Sequence, residues 1–273
     1  MRQSEWIQIA FASGMVLLSW VRPLDWRRRM RVALLAAVVA GAIFGARLAL
    51  HGFAGSVVRD WLPVVLLLFP YWQAGQFFSG PDLRIQDWLG RTDEQAFRAF
   101  PWLNRDGKKR GWSRYFETAY LMCYPLVPIG LGVLYATHNR SNTDFYWIVV
   151  VAASDICFVA TIFVPAMPPR LLQQSSAIPV VHENQVRRLN LAVLKKGSIQ
   201  AITFPSAHVA STMGVALVLM HYLPVTGGVF MLVAISVAIG AFVGRYHYFL
   251  DVVLGAIEAT VIFLVCLSVF RLG

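Results

Sequence analysis

Charged residues are scarce in this sequence. Only 14% of its 273 residues are Asp, Glu, Lys or Arg, whereas 58% are hydrophobic and the mean hydropathy is +0.59. In soluble domains about a quarter of all residues are charged, so the composition excludes an ordinary soluble domain. The three cysteines give no disulfide framework and no metal-ligand spacing. No unit of about 20 to 50 residues repeats and no low-complexity tract occurs, which excludes a repeat architecture.

Long apolar runs fill most of the chain instead. A membrane span needs about 20 residues of apolar helix. The sequence predicts eight spans, at about 6 to 21, 32 to 50, 61 to 78, 117 to 136, 145 to 165, 206 to 223, 227 to 243 and 248 to 270. The first is as short as a signal peptide, but its arginines follow the apolar stretch, so we interpret it as a helix. The predicted fold class is an all-α, polytopic transmembrane helix bundle.

The net charge of +10 comes mainly from loops between the spans. A membrane surface explains this placement better than a nucleic acid, so we expect the bilayer as partner and no nucleic acid. With eight crossings, most lysines and arginines fall on the face that holds the loops 22–31, 79–116 and 166–205. The positive-inside rule makes this face cytoplasmic. We expect a multi-pass protein of the plasma membrane, the inner membrane of a bacterium.

The segment 79–116 is the largest polar interruption between spans. It mixes Trp88, Trp102 and Trp112 with Lys and Arg. Tryptophan beside cations is typical of helices that lie in the headgroup layer, with a solvated loop as the alternative. We predict an interfacial segment here.

Polar motifs stand at the ends of three spans on one predicted face: MPPRLL at 167–172, FPSAHVAS at 204–211 and GRYHYFLD at 244–251. His247 and Asp251 are spaced to share one helix face, where they can hydrogen bond. Ser206 is a good N-cap, and His208 follows it within the first helical turn. We therefore expect the three motifs to meet at one membrane boundary.

These residue types suit an anionic phosphate. The helix that starts at Ser206 offers unpaired N–H groups and a partial positive charge. Arg170 and Arg245 add the bidentate donors that phosphate oxygens favour. His208 and His247 would then stand on opposite sides of a bound phosphorus. The motifs together indicate phosphoryl transfer.

In this order, an arginine, then Pro-Ser-x-His, then His-x-x-x-Asp, the motifs resemble those of the type 2 phosphatidic acid phosphatase superfamily. Its members are membrane enzymes that act on lipid phosphates and share their active site with vanadium haloperoxidases. The motifs most resemble the branch with fungal inositol phosphorylceramide synthases and many bacterial lipid phosphatases. The resemblance implies a six-helix phosphatase core after about two N-terminal helices. We expect a two-helix membrane extension at 1–55 and a catalytic core at 56–273.

The resemblance also implies a role for each motif residue. His247 attacks phosphorus and becomes a phosphohistidine, while Asp251 holds its other ring nitrogen. His208 protonates the leaving alkoxide and then activates water or an alcohol. The implied ligands of the phosphoryl oxygens are Arg170, Ser206 and Arg245, with backbone amides after the serine. No metal and no cofactor is required.

Some positions depart from the family's motifs. Where the family has a lysine seven positions before the arginine, this chain has Phe163. Where the third motif has Ser-Arg, it has Gly240 and Ala241, and Ala207 replaces a common glycine. Two cationic phosphate ligands are therefore absent. With fewer cations, the anion site is less suited to a doubly charged phosphomonoester, and a phosphodiester or pyrophosphate becomes a more plausible substrate.

Several functions stay open at this point. We predict a lipid phosphate phosphatase, and the alternative is a headgroup phosphotransferase with a phosphodiester donor and a lipid alcohol acceptor. A membrane transporter would predict inverted repeats, which the sequence does not show. A metal hydrolase built on the two histidines and Asp251 would lack paired-ligand spacing. In the family that the motifs resemble, the active site usually lies outside the cytoplasm, whereas the count of lysines and arginines places it on the cytoplasmic face.

Acidic residues in or beside the predicted spans add a further question. An ionisable group at such depth is costly and is usually functional or paired. The three are Glu117, Asp155 and Glu258. Glu258 lies on the same helix face as Asp251, but the sequence assigns no role to any of them.

Overall fold

The computed structural model of the chain describes residues 1–102, 110–172, 181, 183–199 and 201–270. These residues contain no β-strand, in keeping with apolar segments that must satisfy their own main-chain hydrogen bonds in a bilayer. The helices are α1 (Gln3–Val21), α2 (Trp26–Ala49), α3 (Gly52–Leu66), α4 (Leu68–Gly75), α5 (Leu83–Ala99), α6 (Arg110–Leu121), α7 (Cys123–Ala136), α8 (Thr143–Thr161), α9 (Gln185–Gly197), α10 (Ala207–Tyr222), α11 (Pro224–Val243) and α12 (Phe249–Phe270).

Six segments of the described chain have the length and apolarity of a membrane span. They are α1, α2, the pair α3 and α4, α8 with the turn before it, α11 and α12. The pair α6 and α7, bent by 57° at its junction, would make a seventh. With 16 residues, α10 is shorter than a full span of about 20 residues. Each predicted span coincides with a helix or a pair of helices, and the prediction of a polytopic helical bundle is confirmed.

The short helix α10 lies at the centre of the bundle. It packs against α7, α8, α11 and α12, and Val209, Val215 and Leu219 on it are fully buried. Because other helices surround α10, the thickness of the hydrocarbon core does not set its length. Its first turn carries His208, so a helix enclosed by others leads to the candidate site.

The helix α5 lies outside these spans and is amphipathic. Its inner face buries apolar side chains together with the polar Gln86 and Asp93. Trp88, Trp102 and Trp112 are each about half exposed. The predicted interfacial segment thus contains an amphipathic helix that exposes Trp88 and is followed by the exposed Trp102 and Trp112. Its residues 103–109 lie outside the described part of the chain.

An ionic network fixes α1 to the bundle at the end where α8 begins. Asp60 is 2% exposed, and its carboxylate lies 2.6 Å from Nη1 of Arg2 and 2.8 Å from Nε of Arg140. Asp144 accepts a hydrogen bond from the N–H of Ser4 at 3.1 Å and so caps α1. The first helix is therefore an integral part of the packed bundle.

Candidate active site

Main-chain hydrogen bonds join the three motifs. The N–H of Arg170 donates to the carbonyl of Arg245 at 2.9 Å, and the N–H of Ser206 donates to the carbonyl of Asp251 at 3.0 Å. The approach at Ser206 requires Gly255, because a Cβ there would lie 2.7 Å from the Ser206 oxygen. The three motifs therefore form one cluster at the end of the bundle where α12 begins.

Two imidazole rings stand close together in this cluster. The ring centroids of His208 and His247 are 5.5 Å apart, and the ring planes meet at 63°. Nδ1 of His247 lies 3.2 Å from Oδ2 of the buried Asp251. This contact fixes the orientation of the His247 ring and selects its tautomer. It leaves Nε2 as the ring nitrogen that Asp251 does not engage.

Arg170 presents a guanidinium that no described residue engages. It lies in the short 3₁₀ turn Pro169–Leu171, and among the described residues its side chain has no hydrogen-bond or ion-pair partner. Burial together with the positive charge of Arg170 lowers the pKa of His247 to about 3. The His247 ring is therefore neutral near pH 7, which is the form that can act as a nucleophile.

His208 lies in the first turn of α10. Ser206 is the N-cap, as predicted, and its Oγ accepts a hydrogen bond from the N–H of Val209 at 3.5 Å. Nδ1 of His208 is buried and has no hydrogen-bond partner among the described residues. The rings of Tyr120 and Tyr124 pack on His208 at centroid distances of 5.7 and 5.6 Å. Aromatic packing therefore holds the ring, while its polar nitrogen stays available to a ligand.

Arg245 pairs with a carboxylate that the sequence analysis missed. Nη1 of Arg245 lies 2.5 Å from Oδ2 of Asp93 on α5, and both side chains are buried. The φ angle of Arg245 is 62°, in the left-handed region that favours glycine. One signal for Asp93 was available, since it stands on the apolar face of α5 between Leu89 and Phe97. An acid at such a position needs a partner.

The helix α5 holds the site at further points. Oδ1 of Asp93 accepts a hydrogen bond from the N–H of Phe249 at 2.8 Å. Gln86 donates to the hydroxyl of Tyr248 and accepts from the N–H of Met167 at 2.8 Å. The hydroxyl of Tyr248 donates to the carbonyl of Met167 at 2.9 Å. One helix outside the spans thus ties the first motif to the third.

Glu117, which the sequence left without a role, is a buried anchor. Its carboxylate accepts hydrogen bonds from Arg187 at 2.8 Å, Asn190 at 2.7 Å and the hydroxyl of Tyr246 at 2.5 Å. Arg187 also donates to the carbonyl of Gly244 at 3.0 Å. Because Arg187 and Asn190 belong to α9, this network locks α9 and α6 onto the turn that carries His247.

Asp155 and Glu258 receive no such explanation. Both carboxylate oxygens of Asp155 are buried and have no hydrogen-bond partner among the described residues. Glu258 has Cys157 Sγ at 3.9 Å from its Oε2. Within the described residues, no group of three His, Cys, Asp or Glu side chains has the arrangement of a metal site.

Two of the positions that depart from the family motifs, Gly240 and Ala241, shape the packing and the turn. A Cβ at Gly240 would lie 2.5 Å from the carbonyl oxygen of Phe116, so α6 and α11 leave no room for a side chain. The carbonyl of Ala241 accepts a hydrogen bond from the N–H of His247 at 3.0 Å. Phe163 is 56% exposed. The chain therefore uses the backbone at 240 and 241 to shape the turn.

A cavity of about 380 Å³ opens beside His208. Its walls are mostly apolar and come from several helices, including Val64, Leu68, Val127, Phe158 and Val193. Leu67 at the junction of α3 and α4 and Cys123 at the start of α7 also line it. Two helix junctions therefore frame an opening suited to a hydrocarbon chain.

Comparison with known proteins gives an independent assignment of this region. A family model described as the PAP2 superfamily matches residues 85–265. No curated protein and no solved structure matches the chain. The matched segment begins in α5 and ends in α12, so it holds all three motifs together with the helix that braces them.

Proposed function

The chain belongs to the PAP2 superfamily, and on this premise we propose that it is an integral membrane phosphatase that hydrolyses a lipid phosphate through a phosphohistidine on His247. The observation that carries the proposal is the pair of imidazoles 5.5 Å apart, one of them bonded to Asp251. Two such rings, beside the guanidinium of Arg170 that no described residue engages, are sufficient for stepwise phosphoryl transfer.

In the first step, Nε2 of His247 attacks phosphorus as the bond from phosphorus to the lipid oxygen breaks. Asp251 accepts a hydrogen bond from Nδ1–H of His247. The proton therefore stays on Nδ1, and the lone pair that attacks phosphorus is on Nε2. The anionic phosphoryl group bound beside His208 favours the protonated form of that ring, and His208 gives the proton to the leaving alkoxide. In the second step, His208 removes a proton from water, the water oxygen bonds to phosphorus and the bond to His247 breaks. The enzyme returns to its starting state with phosphate released.

The phosphoryl oxygens are held by Arg170, Ser206 and Arg245 in this proposal. Arg170 supplies a full guanidinium, since it has no described protein partner, and its burial strengthens each hydrogen bond to an anion. Arg245 supplies its remaining donors while Nη1 stays on Asp93. Backbone N–H groups at the start of α10 complete the site. No metal is needed for this chemistry.

The apolar cavity supports a lipid as the leaving group. His208 must contact the departing oxygen, and the cavity opens next to His208. The hydrocarbon part of a lipid alcohol can therefore remain in an apolar environment while its phosphate reaches the histidines.

The same cavity favours a second candidate function, transfer of the phosphoryl group to a lipid alcohol. After the first step, His208 can deprotonate an alcohol as readily as water. An apolar cavity at that position admits a lipid hydroxyl and limits water. This alternative corresponds to a headgroup phosphotransferase with a phosphodiester donor.

We further propose that the site faces the cytoplasm. Arg28 donates to the carbonyl of Phe78 at 2.9 Å, which supports a location of the basic turn 22–31 at the same end as the motifs. Arg27→Cys and Ser141→Cys test this, because both positions are exposed and the native cysteines are buried. In intact cells a membrane-impermeant maleimide should label only Ser141→Cys. Labelling of Arg27→Cys alone would place the site outside.

The function is tested by trapping the intermediate. Purified protein is incubated, with chelator present, with radiolabelled phosphatidic acid, polyprenyl pyrophosphate and phosphatidylinositol, with and without a lipid alcohol. We expect an acid-labile label on the wild-type chain that is absent from His247→Gln and present in His51→Asn, a histidine exchange at the start of α3. Product analysis by mass spectrometry separates hydrolysis from transfer. A label that persists in His247→Gln, or turnover only with added metal, would contradict the mechanism.

A further inference from the structure

We propose that Asp93 is a positioning residue for phosphoryl transfer: it fixes the turn that carries His247 by holding Arg245 on one side and the first N–H of α12 on the other. The inference rests on the proposed function for the reaction that it assists. Asp93 belongs to none of the three motifs and contacts the turn from α5.

The two carboxylate oxygens of Asp93 act on different points of the turn. Oδ2 lies 2.5 Å from Nη1 of Arg245, and Oδ1 accepts a hydrogen bond from the N–H of Phe249 at 2.8 Å. His247 lies midway between these two residues in the sequence. A single side chain therefore fixes the backbone on both sides of the nucleophile.

The conformation of the turn shows why it needs such a support. Arg245 has φ of 62°, which costs free energy in a residue with a side chain. Strained backbone persists only where its surroundings hold it. The ion pair with Asp93, fully buried at 0% exposure, supplies a strong and directional contact at that residue.

Small displacements at this point have large kinetic consequences. A shift of about 1 Å in a reacting group can cost about 100-fold in rate. His247 is held by Asp251 through one nitrogen, and this contact fixes the ring only relative to α12. Asp93 fixes the start of α12 and the residues before it relative to the rest of the site. Loss of Asp93 should therefore affect the chemical step more than substrate binding.

A role limited to charge balance is the competing explanation, and two substitutions separate it from positioning. Asp93→Glu keeps a carboxylate for Arg245 but its extra methylene prevents both contacts from keeping their present geometry. Asp93→Asn keeps an oxygen for Phe249 and loses the charge. Glu94→Gln, the next residue on α5 with a partly exposed ion pair to Arg98, is the matched control.

The kinetic experiment measures kcat and KM on the lipid phosphate that the wild type turns over. Thermal unfolding of each variant is measured without and with inorganic vanadate, and the vanadate effect is the rise in unfolding temperature. We expect kcat per folded molecule to fall at least about 10-fold in both Asp93 variants, with KM within about three-fold. Asp93→Glu adds a methylene at a buried position, so it should lower the unfolding temperature modestly while the chain still folds, and Glu94→Gln should behave as wild type throughout. Wild-type kcat in Asp93→Glu would overturn the proposal even if Asp93→Asn failed to fold.

The vanadate measurement separates this inference from the proposed function. If the wild type is stabilised by vanadate but hydrolyses no lipid phosphate, the proposed substrate is wrong, and a smaller vanadate effect in Asp93→Glu still supports positioning. An unchanged vanadate effect in Asp93→Glu would then contradict it. A wild type that neither reacts nor binds vanadate contradicts both.

Discussion

The main-chain carbonyl of Asp251 accepts a hydrogen bond from the main-chain N–H of Ser206 at 3.0 Å. Asp251 contacts the ring of His247, and Ser206 begins the helix that carries His208. This one bond therefore connects the two halves of the site through the backbone. The separation of the two rings follows from the packing of α10 against α12 and does not depend on side chains alone.

Gly255 is the residue that permits this contact, and Gly255→Ala should disrupt it. A Cβ at 255 would lie 2.7 Å from the Ser206 oxygen, so α12 must shift. Overpacking of this kind costs about 1 to 3 kcal/mol, and the shift should also lower the activity. Thermal unfolding and turnover measure both effects. Gly228→Ala on α11 meets nothing within 4 Å and should be neutral or stabilising; equal behaviour of the two variants would contradict the prediction.

The bundle and the motifs could be predicted because their signals are local. A membrane span is defined by about 20 consecutive apolar residues, and His247 with Asp251 is defined by spacing on one helix. The 5.5 Å separation of His208 and His247 agrees with the expectation that the motifs meet. Both signals can be recognised within a single segment of sequence.

The supports of the site could not be predicted, because each depends on contacts between distant segments. Asp93 reaches Arg245, and Glu117 reaches Arg187 and Tyr246, from helices that carry no motif. An acid on an apolar helix face predicts that a partner exists without showing which one. The sequence therefore indicated Arg245 as a phosphate ligand and did not reveal the carboxylate that already engages it.

The stability of the protein should fall as the pH is lowered from neutral. Burial and Arg170 lower the pKa of His247 to about 3 in the folded state, whereas an unperturbed histidine has a pKa of about 6.5. Between these values the unfolded chain binds more protons. The contribution is thus fully present above about pH 6.5 and is lost as the pH falls toward 3, with a slope of up to about 1.4 kcal/mol per pH unit.

Unfolding measured between about pH 7 and pH 5 tests this dependence. His247→Asn removes the titrating ring and should give a shallower slope over that range. Asp251 and Arg170 remain in the variant, so a change in slope reports on the imidazole. A slope equal to that of the wild type would show that His247 does not titrate differently in the folded and unfolded states.

Arg170→Gln should lower kcat/KM by about 100- to 1000-fold, the usual effect of removing one donor to the charge that develops in a transition state. Arg170→Lys should recover only part of the loss, because an ammonium group cannot bind two oxygens in the bidentate geometry of a guanidinium. Inhibition by inorganic phosphate should weaken in both variants. Arg91→Gln, which removes an exposed arginine from α5, is the control. Retention of phosphate inhibition in Arg170→Gln would exclude Arg170 as a ligand.

The cavity beside His208 should determine which substrates the protein accepts. Val193 lines it and is 38% exposed, so Val193→Trp can fill part of the space with little strain. Loss of contact with two methylene groups costs about 1.6 kcal/mol, or more than 10-fold in kcat/KM for a long-chain lipid phosphate. A water-soluble phosphate ester that leaves the cavity empty should react at the wild-type rate. Leu48→Trp, at a position 73% exposed on α2, controls for added tryptophan. Equal losses on both substrates would mean that the hydrocarbon chain lies elsewhere.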